Sequence, residues 1–217
     1  MMSSQLAMQR EGHLTEVFHI FAYLKLHHNS RLVFDPSYPD IDYKSFGFND
    51  WNKFYGEVSE EIPENIPEPL GKELIISCYV DADHAGDRLT RRSRTGFVVK
   101  LNSSPIYWMS KKQTSIETSS FGSEFIALKS TCEYFRGLRF KLLMMGIPVE
   151  ETCFVMGDNQ SVLVNITVPE SNLKKKSNSL AYHFTREGNA RLLEWVFAYV
   201  KSKDNPADIL AFLSWWR

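Results

Sequence analysis

The sequence has few cysteines, no long apolar run and almost no net charge. Its three cysteines, Cys78, Cys132 and Cys153, are odd in number and lack the spacing of metal ligands, which argues against a disulfide framework and against a zinc site. No run reaches the roughly 18 apolar residues that a membrane span needs, and the first residues lack the layout of a signal peptide. The sequence therefore predicts an intracellular protein of a reducing compartment, cytoplasmic or nuclear, with no membrane partner.

The charge is unevenly distributed along the 217 residues, whose formal net charge is −1. Residues 34–70 hold nine acids and two lysines, whereas residues 71–217 have a net charge of +5. That excess alone is within random variation, but the basic residues cluster. Four arginines fall within seven residues (Arg88, Arg91, Arg92 and Arg94), and Lys174, Lys175 and Lys176 are consecutive. Such clusters can neutralise phosphates, so nucleic acid remains a candidate partner.

Three segments differ in composition. Residues 1–33 contain apolar positions at helical spacing, which predicts one amphipathic helix over residues 10–28. Residues 34–70 are acidic and rich in proline, and we interpret them as a connector that packs locally around its aromatic residues with little regular structure. Residues 71–217 alternate apolar runs with helical patterns, so they predict an α/β domain.

Within the third segment, apolar periodicity and turn residues predict five strands and four helices. The strands are expected at residues 74–81, 96–101, 106–109, 153–157 and 193–201. The helices are expected at residues 118–145, from 159, around 180–186 and from 206. Gly146 and Pro148 would end the long helix, and Ser119 or Ser120 would cap its start.

Two of the predicted strands end in an aspartate. Asp81 follows an apolar run, and Asp158 follows a second one. Strands that are apolar on both faces are normally central in a sheet, so the two carboxylates are expected at one edge of the same sheet. Neighbouring carboxylates repel unless cations lie between them. The pattern indicates two-metal phosphoryl hydrolysis.

Two further acids have both functional and structural explanations. Glu124 lies within the apolar stripe of the long helix, where a carboxylate is costly unless it is paired; a salt bridge to arginine or an exposed edge position would also explain it. Asp208 falls in the first turn of the last helix, where any acid complements the helix dipole. Asp83, His84 and Asp87 could also approach a metal, although roles in turns and in solvent are simpler for them.

Seven ordered blocks over residues 73–212 resemble the ribonuclease H domain of copia-type (Pseudoviridae) LTR retrotransposons. They are Asp81-Ala82-Asp83-His84-Ala85-Gly86-Asp87, Thr90-Arg91-Arg92-Ser93-Arg94-Thr95-Gly96, Trp108-Met109-Ser110-Lys111-Lys112-Gln113, Ser123-Glu124-Phe125-Ile126-Ala127-Leu128, Gly157-Asp158-Asn159-Gln160-Ser161, Tyr182-His183-Phe184-Thr185-Arg186-Glu187 and Ala207-Asp208-Ile209-Leu210. The resemblance implies a ribonuclease H-like fold, in which helices flank a mixed five-stranded sheet. It also implies a catalytic and metal-binding quartet of Asp81, Glu124, Asp158 and Asp208.

The resemblance implies a mechanism and a substrate. Two Mg²⁺ ions, for which Mn²⁺ could substitute, would serve an endonuclease that cuts the RNA strand of RNA–DNA hybrids and leaves 5′-phosphate and 3′-hydroxyl ends. Gln160, helped by Asn159, would reach the minor groove, where 2′-hydroxyls distinguish RNA from DNA. The phosphate contacts would come from Arg91, Arg92, Arg94, Lys111 and Lys112. Residues 1–70 are similar to the end of a reverse transcriptase and its connector, so the rest of such an enzyme is a candidate partner.

Some features depart from the family pattern. Cellular ribonucleases H carry a histidine shortly before the last aspartate, but none lies between His183 and Asp208 here. The tail after Leu210 also differs, and Met1 would begin well inside a polyprotein, so we expect a fragment or a separate reading frame. Two alternatives therefore stay open: a catalytically silent, co-opted binding or assembly module of the same fold, and an integrase-like strand transferase, whose acids follow a different order.

Overall fold

A computed structural model provides the coordinates. It describes residues 11–47, 49–56, 62–87, 89–150, 152–173, 178–190 and 194–212. Three features of the sequence therefore lie outside the described residues: Arg88, the lysines at 174–176 and the tail beyond residue 212.

The described residues form six helices and five strands. The helices are α1 (Glu11–Leu26), α2 (Asn52–Tyr55), α3 (Ser120–Met144), α4 (Gln160–Thr167), α5 (Ser179–Ala190) and α6 (Asp208–Phe212). The strands are β1 (Ile76–Asp83), β2 (Arg94–Leu101), β3 (Ser104–Lys112), β4 (Cys153–Gly157) and β5 (Trp195–Tyr199). Every predicted strand and helix is present. One difference is β3, which is longer than predicted because only Asn102 and Ser103 are needed to turn the chain. Asn102 adopts a φ of 53° there.

The five strands form one mixed sheet in the order β3-β2-β1-β4-β5. β1 pairs antiparallel with β2 and parallel with β4, and β4 pairs parallel with β5. β1 is the central strand, and six of its eight residues are buried. This arrangement confirms the predicted fold class, a mixed five-stranded sheet flanked by helices. Since β1 and β4 are parallel, their carboxyl ends lie at the same edge of the sheet.

One face of the sheet packs against α3, α4 and α5. The long helix α3 contributes Phe125, Cys132 and Phe135, which are fully buried against Cys78 of β1 and its neighbours. Ser119 caps this helix, as predicted, by accepting a hydrogen bond from the Gly122 amide at 3.3 Å. Burial of large side chains at about 25 cal/mol per Å² of apolar surface stabilises this layer, which fixes the position of α3 relative to β1.

The opposite face is covered in part by residues 35–55, which we call the strap. Near its start, the Pro36 carbonyl accepts a hydrogen bond from Asn102 in the β2–β3 turn at 3.1 Å. Farther along, Phe46 packs edge-on against Phe154 of β4 with ring centroids 5.1 Å apart. Trp51 then reaches the other side of the sheet, where its ring lies under the Arg186 guanidinium of α5. The strap thus packs on the sheet and on α5 as well as locally. The domain boundary that the sequence predicts at residue 70 stays a prediction.

Helix α1 confirms the helix predicted near the N-terminus. Its apolar side chains remain open to solvent, since Leu14, Phe18 and Phe21 are each more than half exposed. None of the helices among the described residues has the length and apolar character to cross a membrane.

Candidate active site

Asp81 and Asp158 lie side by side at the carboxyl ends of two central strands. Val80 of β1 is in register with Gly157 of β4, so the aspartate that follows each residue projects from the same edge of the sheet. Asp81 is only 5% exposed, whereas Asp158 is partly exposed. The Asp158 carboxylate accepts a hydrogen bond from the Ser202 hydroxyl at 2.6 Å. The strand pairing therefore brings the two predicted acids together.

Glu124 joins these two acids from the first turns of α3. It is 9% exposed, and no lysine or arginine among the described residues forms a salt bridge with it, which removes the salt-bridge explanation. Asp81, Glu124 and Asp158 each offer a carboxylate oxygen, and these oxygens all lie within 4.8 Å of one another. Three carboxylates from a strand, a helix and a second strand thus converge on one point.

Asp208 lines the same cavity from the first turn of α6. Asn205 fixes the approach to this helix: its side-chain amide donates to the Val80 carbonyl at 3.0 Å, and its oxygen accepts from the Ala207 amide at 3.1 Å. Gly96 allows α6 to lie directly on β2, because a Cβ atom there would be 2.7 Å from the Ala211 nitrogen. The short helix is therefore held on the sheet by contacts that keep Asp208 at the cavity.

The cavity formed by these acids, here called the carboxylate cavity, has a volume of about 470 Å³. It is lined by Asp81, Ala82, Asp83, His84, Glu124, Asp158, Ser202, Lys203 and Asp208. Ser202 and Lys203 were not expected from the sequence. They lie in a short 3-10 turn after β5, and no local pattern indicates that this turn faces Asp158.

The electrostatics of the cavity favour protonation of its buried acids. Burial, followed by the charges of Asp158 and Asp208, raises the pKa of Asp81 to about 7. Burial and the charges of Asp81 and Asp158 raise the pKa of Glu124 to about 9. The pKa of Asp208 is also raised, first by burial and then by Asp158. When its acids are ionised, the cluster therefore holds more negative charge than the surrounding protein balances.

Asp81 provides a direct sign of this imbalance. Its Oδ2 atom is buried and has no hydrogen-bond partner among the described residues. A buried carboxylate oxygen without a partner is costly, and carboxylate oxygens are the ligands that hard divalent cations prefer. The donor set and the unpartnered oxygen both fit a divalent cation.

The loop between β1 and β2 uses Asp87 as its organising acid. The Asp87 carboxylate accepts hydrogen bonds from the amides of Leu89 and Thr90 at 3.0 and 3.1 Å, and it pairs with Lys112 of β3. Burial alone would raise the pKa of Asp87, but these hydrogen bonds outweigh burial and hold its pKa below the usual value. The carboxylate cavity does not include Asp87, so the turn role that we considered for it fits the structure.

The predicted nucleic-acid contacts divide into exposed and engaged side chains. Arg91, Arg92 and Lys111 are exposed. Arg94 is 8% exposed and donates to the Ser110 hydroxyl at 3.4 Å, and Lys112 is engaged with Asp87. We therefore restrict the candidate phosphate contacts to the three exposed residues.

Asn159 and Gln160 lie at the start of α4, next to Asp158. Asn159 is the N-cap, since its side chain accepts from the Val162 amide at 3.2 Å. Gln160 is exposed and lines a second cavity of about 290 Å³, together with Val164 and Tyr199. The two residues thus differ in which side-chain atoms are open to other partners. The capping bond uses the Asn159 oxygen, whereas the whole Gln160 side chain lies at an open depression.

Known proteins of similar sequence include polyproteins from transposons. Over 144 residues, 64% of this chain, it is 30% identical to the retrovirus-related Pol polyprotein from transposon RE2 of Arabidopsis thaliana. Over an alignment of the same length it is 29% identical to the retrovirus-related Pol polyprotein from transposon TNT 1-94 of Nicotiana tabacum. Both of these relatives are retrovirus-related Pol polyproteins from transposons. This chain spans only 10% of the length of each of these polyproteins, and no family model matches it.

Solved structures whose backbone aligns with this chain include two ribonucleases H. The N-terminal RNase H domain of Rv2228c from Mycobacterium tuberculosis aligns with 64% of this chain and 91% of that chain, at 14% identity and a TM-score of 0.49. LC11-RNase H1 in complex with an RNA/DNA hybrid aligns with 62% of this chain and 92% of that chain, at 19% identity and a TM-score of 0.48.

Proposed function

We propose that this chain is a retrotransposon-derived endonuclease that uses divalent metal ions to hydrolyse the RNA strand of RNA–DNA hybrids. The observation that carries the proposal is the convergence of Asp81, Glu124 and Asp158 within 4.8 Å, with one buried oxygen lacking a partner. A cluster of this kind costs folding free energy unless a cation is bound. The homology to transposon Pol polyproteins supports a role in nucleic-acid processing.

Two Mg²⁺ ions, or Mn²⁺ in their place, would be held by Asp81, Glu124, Asp158 and Asp208. When bound, such ions stabilise the charge that develops on the attacking and leaving oxygens of a phosphodiester. Four carboxylates on four different elements fit this task, because each can contribute oxygens from its own direction.

The chain's own residues would bind and orient the reactants. Asp81 and Asp158 would hold the ions at the ends of adjacent strands. Glu124 would hold one ion and orient the attacking water or the neighbouring 2′-hydroxyl, while the Ser202 hydroxyl fixes one oxygen of Asp158. The products would be 5′-phosphate and 3′-hydroxyl ends.

Contacts outside the cavity would hold the hybrid. Arg91, Arg92 and Lys111 are exposed and can neutralise phosphates without reading sequence. Gln160, two residues after Asp158, would contact 2′-hydroxyls in the minor groove, and the amide group of Asn159 would assist. The contacts of Gln160 and Asn159 with 2′-hydroxyls would select the RNA strand, whereas the phosphate contacts would only hold the hybrid.

The cellular setting of this activity is also a proposal. The thiols of Cys78, Cys132 and Cys153 are buried and form no disulfide, which suits a reducing compartment such as the cytoplasm or nucleus. The rest of a reverse transcriptase is the second proposed partner, since the homologous polyproteins are far longer than this chain.

The decisive experiment compares a labelled RNA–DNA hybrid with single-stranded RNA and duplex DNA, each with Mg²⁺ and with EDTA. We expect cleavage of the RNA strand of the hybrid only, abolished by EDTA and by Asp158→Asn, which keeps the shape of the side chain but removes its charge. Hybrid binding without cleavage would instead identify a silent binding module. Joining of DNA ends would identify a strand transferase, and an Asp158→Asn variant as active as the wild type would disprove the site.

A further inference from the structure

The lining of the carboxylate cavity is rich in acceptors and poor in proton donors. Five of its nine lining residues are Asp or Glu. With metal ions bound, the carboxylates of the cavity are ionised and only accept hydrogen bonds, and the Ser202 hydroxyl already donates to Asp158. Among the described side chains of the cavity, the donors that remain are His84 and Lys203. Hydrolysis that frees a 3′-hydroxyl needs a proton on the departing 3′-oxygen, so the identity of this donor matters.

The imidazole of His84 is oriented by Ser123 of α3. The Ser123 hydroxyl lies 3.3 Å from Nδ1 of His84 and 2.9 Å from the Ser120 carbonyl. A hydroxyl has one proton to donate, and the carbonyl can only accept it. The Ser123 oxygen therefore accepts from Nδ1–H of His84, which leaves Nε2 as the nitrogen available to other partners.

The backbone around His84 is fixed as well. Ala85 adopts a φ of 53°, which turns the chain sharply after the histidine, and its amide donates to the Ser93 hydroxyl at 3.0 Å. Ser93 is completely buried, so it anchors the turn to the start of β2. By contrast, Lys203 is exposed, and its ammonium group lies at the end of a long side chain with several rotatable bonds. His84 is the donor whose position the fold determines.

We propose that His84 is a catalytic residue, the general acid that protonates the 3′-oxygen leaving group from its Nε2 atom. This inference rests on the proposed nuclease function. As the bond between the water oxygen and phosphorus forms, the bond between phosphorus and the 3′-oxygen breaks. The Nε2 proton of the His84 imidazolium moves to that oxygen, which gives the 3′-hydroxyl and a neutral imidazole that keeps its Nδ1 proton. The attacking water releases its proton to solvent, from which the imidazole is protonated again.

A substrate with sulfur in place of the bridging 3′-oxygen at the cut site tests this role, because a thiolate leaves without needing a proton. On the ordinary hybrid, His84→Ala and His84→Gln should each cleave about 100-fold or more slowly, the usual contribution of general acid catalysis. On the sulfur substrate, both variants should cleave close to the wild-type rate. His183→Ala, which changes an exposed histidine of α5 outside the cavity, should match the wild type on both.

Each other outcome has a distinct meaning. Equal losses on the oxygen and sulfur substrates would show that His84 only supports the structure, and no loss would show that it is not needed; either result overturns the inference and leaves the nuclease function intact. If Lys203→Ala, and not the His84 variants, is slow on the ordinary hybrid but near the wild-type rate on the sulfur substrate, the proton comes from Lys203. That result would also overturn the inference about His84. A wild-type protein that cuts neither substrate would reject the nuclease function itself. Melting temperature and hybrid affinity, measured for every variant, separate misfolding from lost chemistry.

Discussion

Asp81 and Asp87 are six residues apart, yet the protein treats their charges in opposite ways. Asp87 is surrounded by donors from Lys112 and the loop amides, and its pKa is lowered. Asp81 is surrounded by other acids, has one buried oxygen without a partner among the described residues, and has a pKa raised to about 7. The fold itself balances the charge of Asp87, which therefore serves the loop. The charge of Asp81 is left for something outside the chain, and a metal ion is the simplest candidate.

The largest expected effect of this difference is on catalysis. Asp81→Asn should reduce hybrid cleavage by roughly 1000-fold or more, because metal ions contribute several kcal/mol of transition-state stabilisation and each ~1.4 kcal/mol is about tenfold in rate. Asp87→Asn should cleave near the wild-type rate at a temperature where it is folded. Single-turnover assays of both variants test the contrast, and a large loss in Asp87→Asn would mean that this acid also serves the reaction.

The second expected effect is on the response of stability to metal ions. Mg²⁺ or Mn²⁺ at about 100 times its dissociation constant should stabilise the wild type by roughly 2.7 kcal/mol, which corresponds to about 5–10 °C in melting temperature. Asp81→Asn should melt higher than the wild type without metal and gain less from it. Asp87→Asn should melt lower but gain as much as the wild type. A wild-type melting curve that ignores millimolar divalent ions would contradict the clustered-acid model.

The sequence predicts the Asp81 side of this contrast but not the Asp87 side. The apolar runs that end at Asp81 and Asp158 predicted central strands, and the pairing of β1 with β4 brought these acids together. The partner of Asp87 could not be foreseen, since Lys112 lies 25 residues away on β3. Local periodicity reports which face of a strand is buried but not which distant side chain meets it.

The same limit explains three further differences. The burial of Arg94 follows from its place at the start of β2, whereas the sequence shows only a cluster of arginines. Composition describes the strap as an acidic connector, although Phe46 packs on Phe154 more than 100 residues away. The contact between Ser123 and His84 likewise joins two motifs that are 39 residues apart. Each depends on the assembled sheet.

The third prediction concerns the pH dependence of stability without metal. The folded-state pKa values of Asp81 and Glu124 are raised to about 7 and about 9, so between about pH 4 and 9 the folded state binds more protons than the unfolded chain. Stability from these groups is full below about pH 4 and falls as pH rises through the folded-state values. Asp87 has the opposite sign: its stability is present above about pH 4 and is lost as pH falls.

Denaturant midpoints measured across this range test the signs. In EDTA the wild type should lose stability from pH 5 to 9, and Asp81→Asn should lose less. Saturating Mg²⁺ should flatten the slope, because the bound ions keep the acids ionised at lower pH. An apo protein that becomes steadily more stable from pH 5 to 9 would show that the acids are not buried together.

The smallest expected effect is on the salt dependence of hybrid binding, and it concerns the arginines of the same loop. Arg91 and Arg92 are exposed, whereas Arg94 is buried near the acids Asp83 and Asp87. Replacing Arg91 and Arg92 by Ala should weaken hybrid binding and reduce the slope of log affinity against log salt by up to about 1.8, since each lost phosphate contact contributes roughly 0.9 on a duplex. Arg94→Ala should instead lower the melting temperature and leave the slope unchanged. The strand that is cut should stay the same in all variants, because phosphate contacts do not distinguish RNA from DNA. If the double variant keeps the wild-type slope, the exposed arginines do not contact the nucleic acid and the loop serves the fold alone.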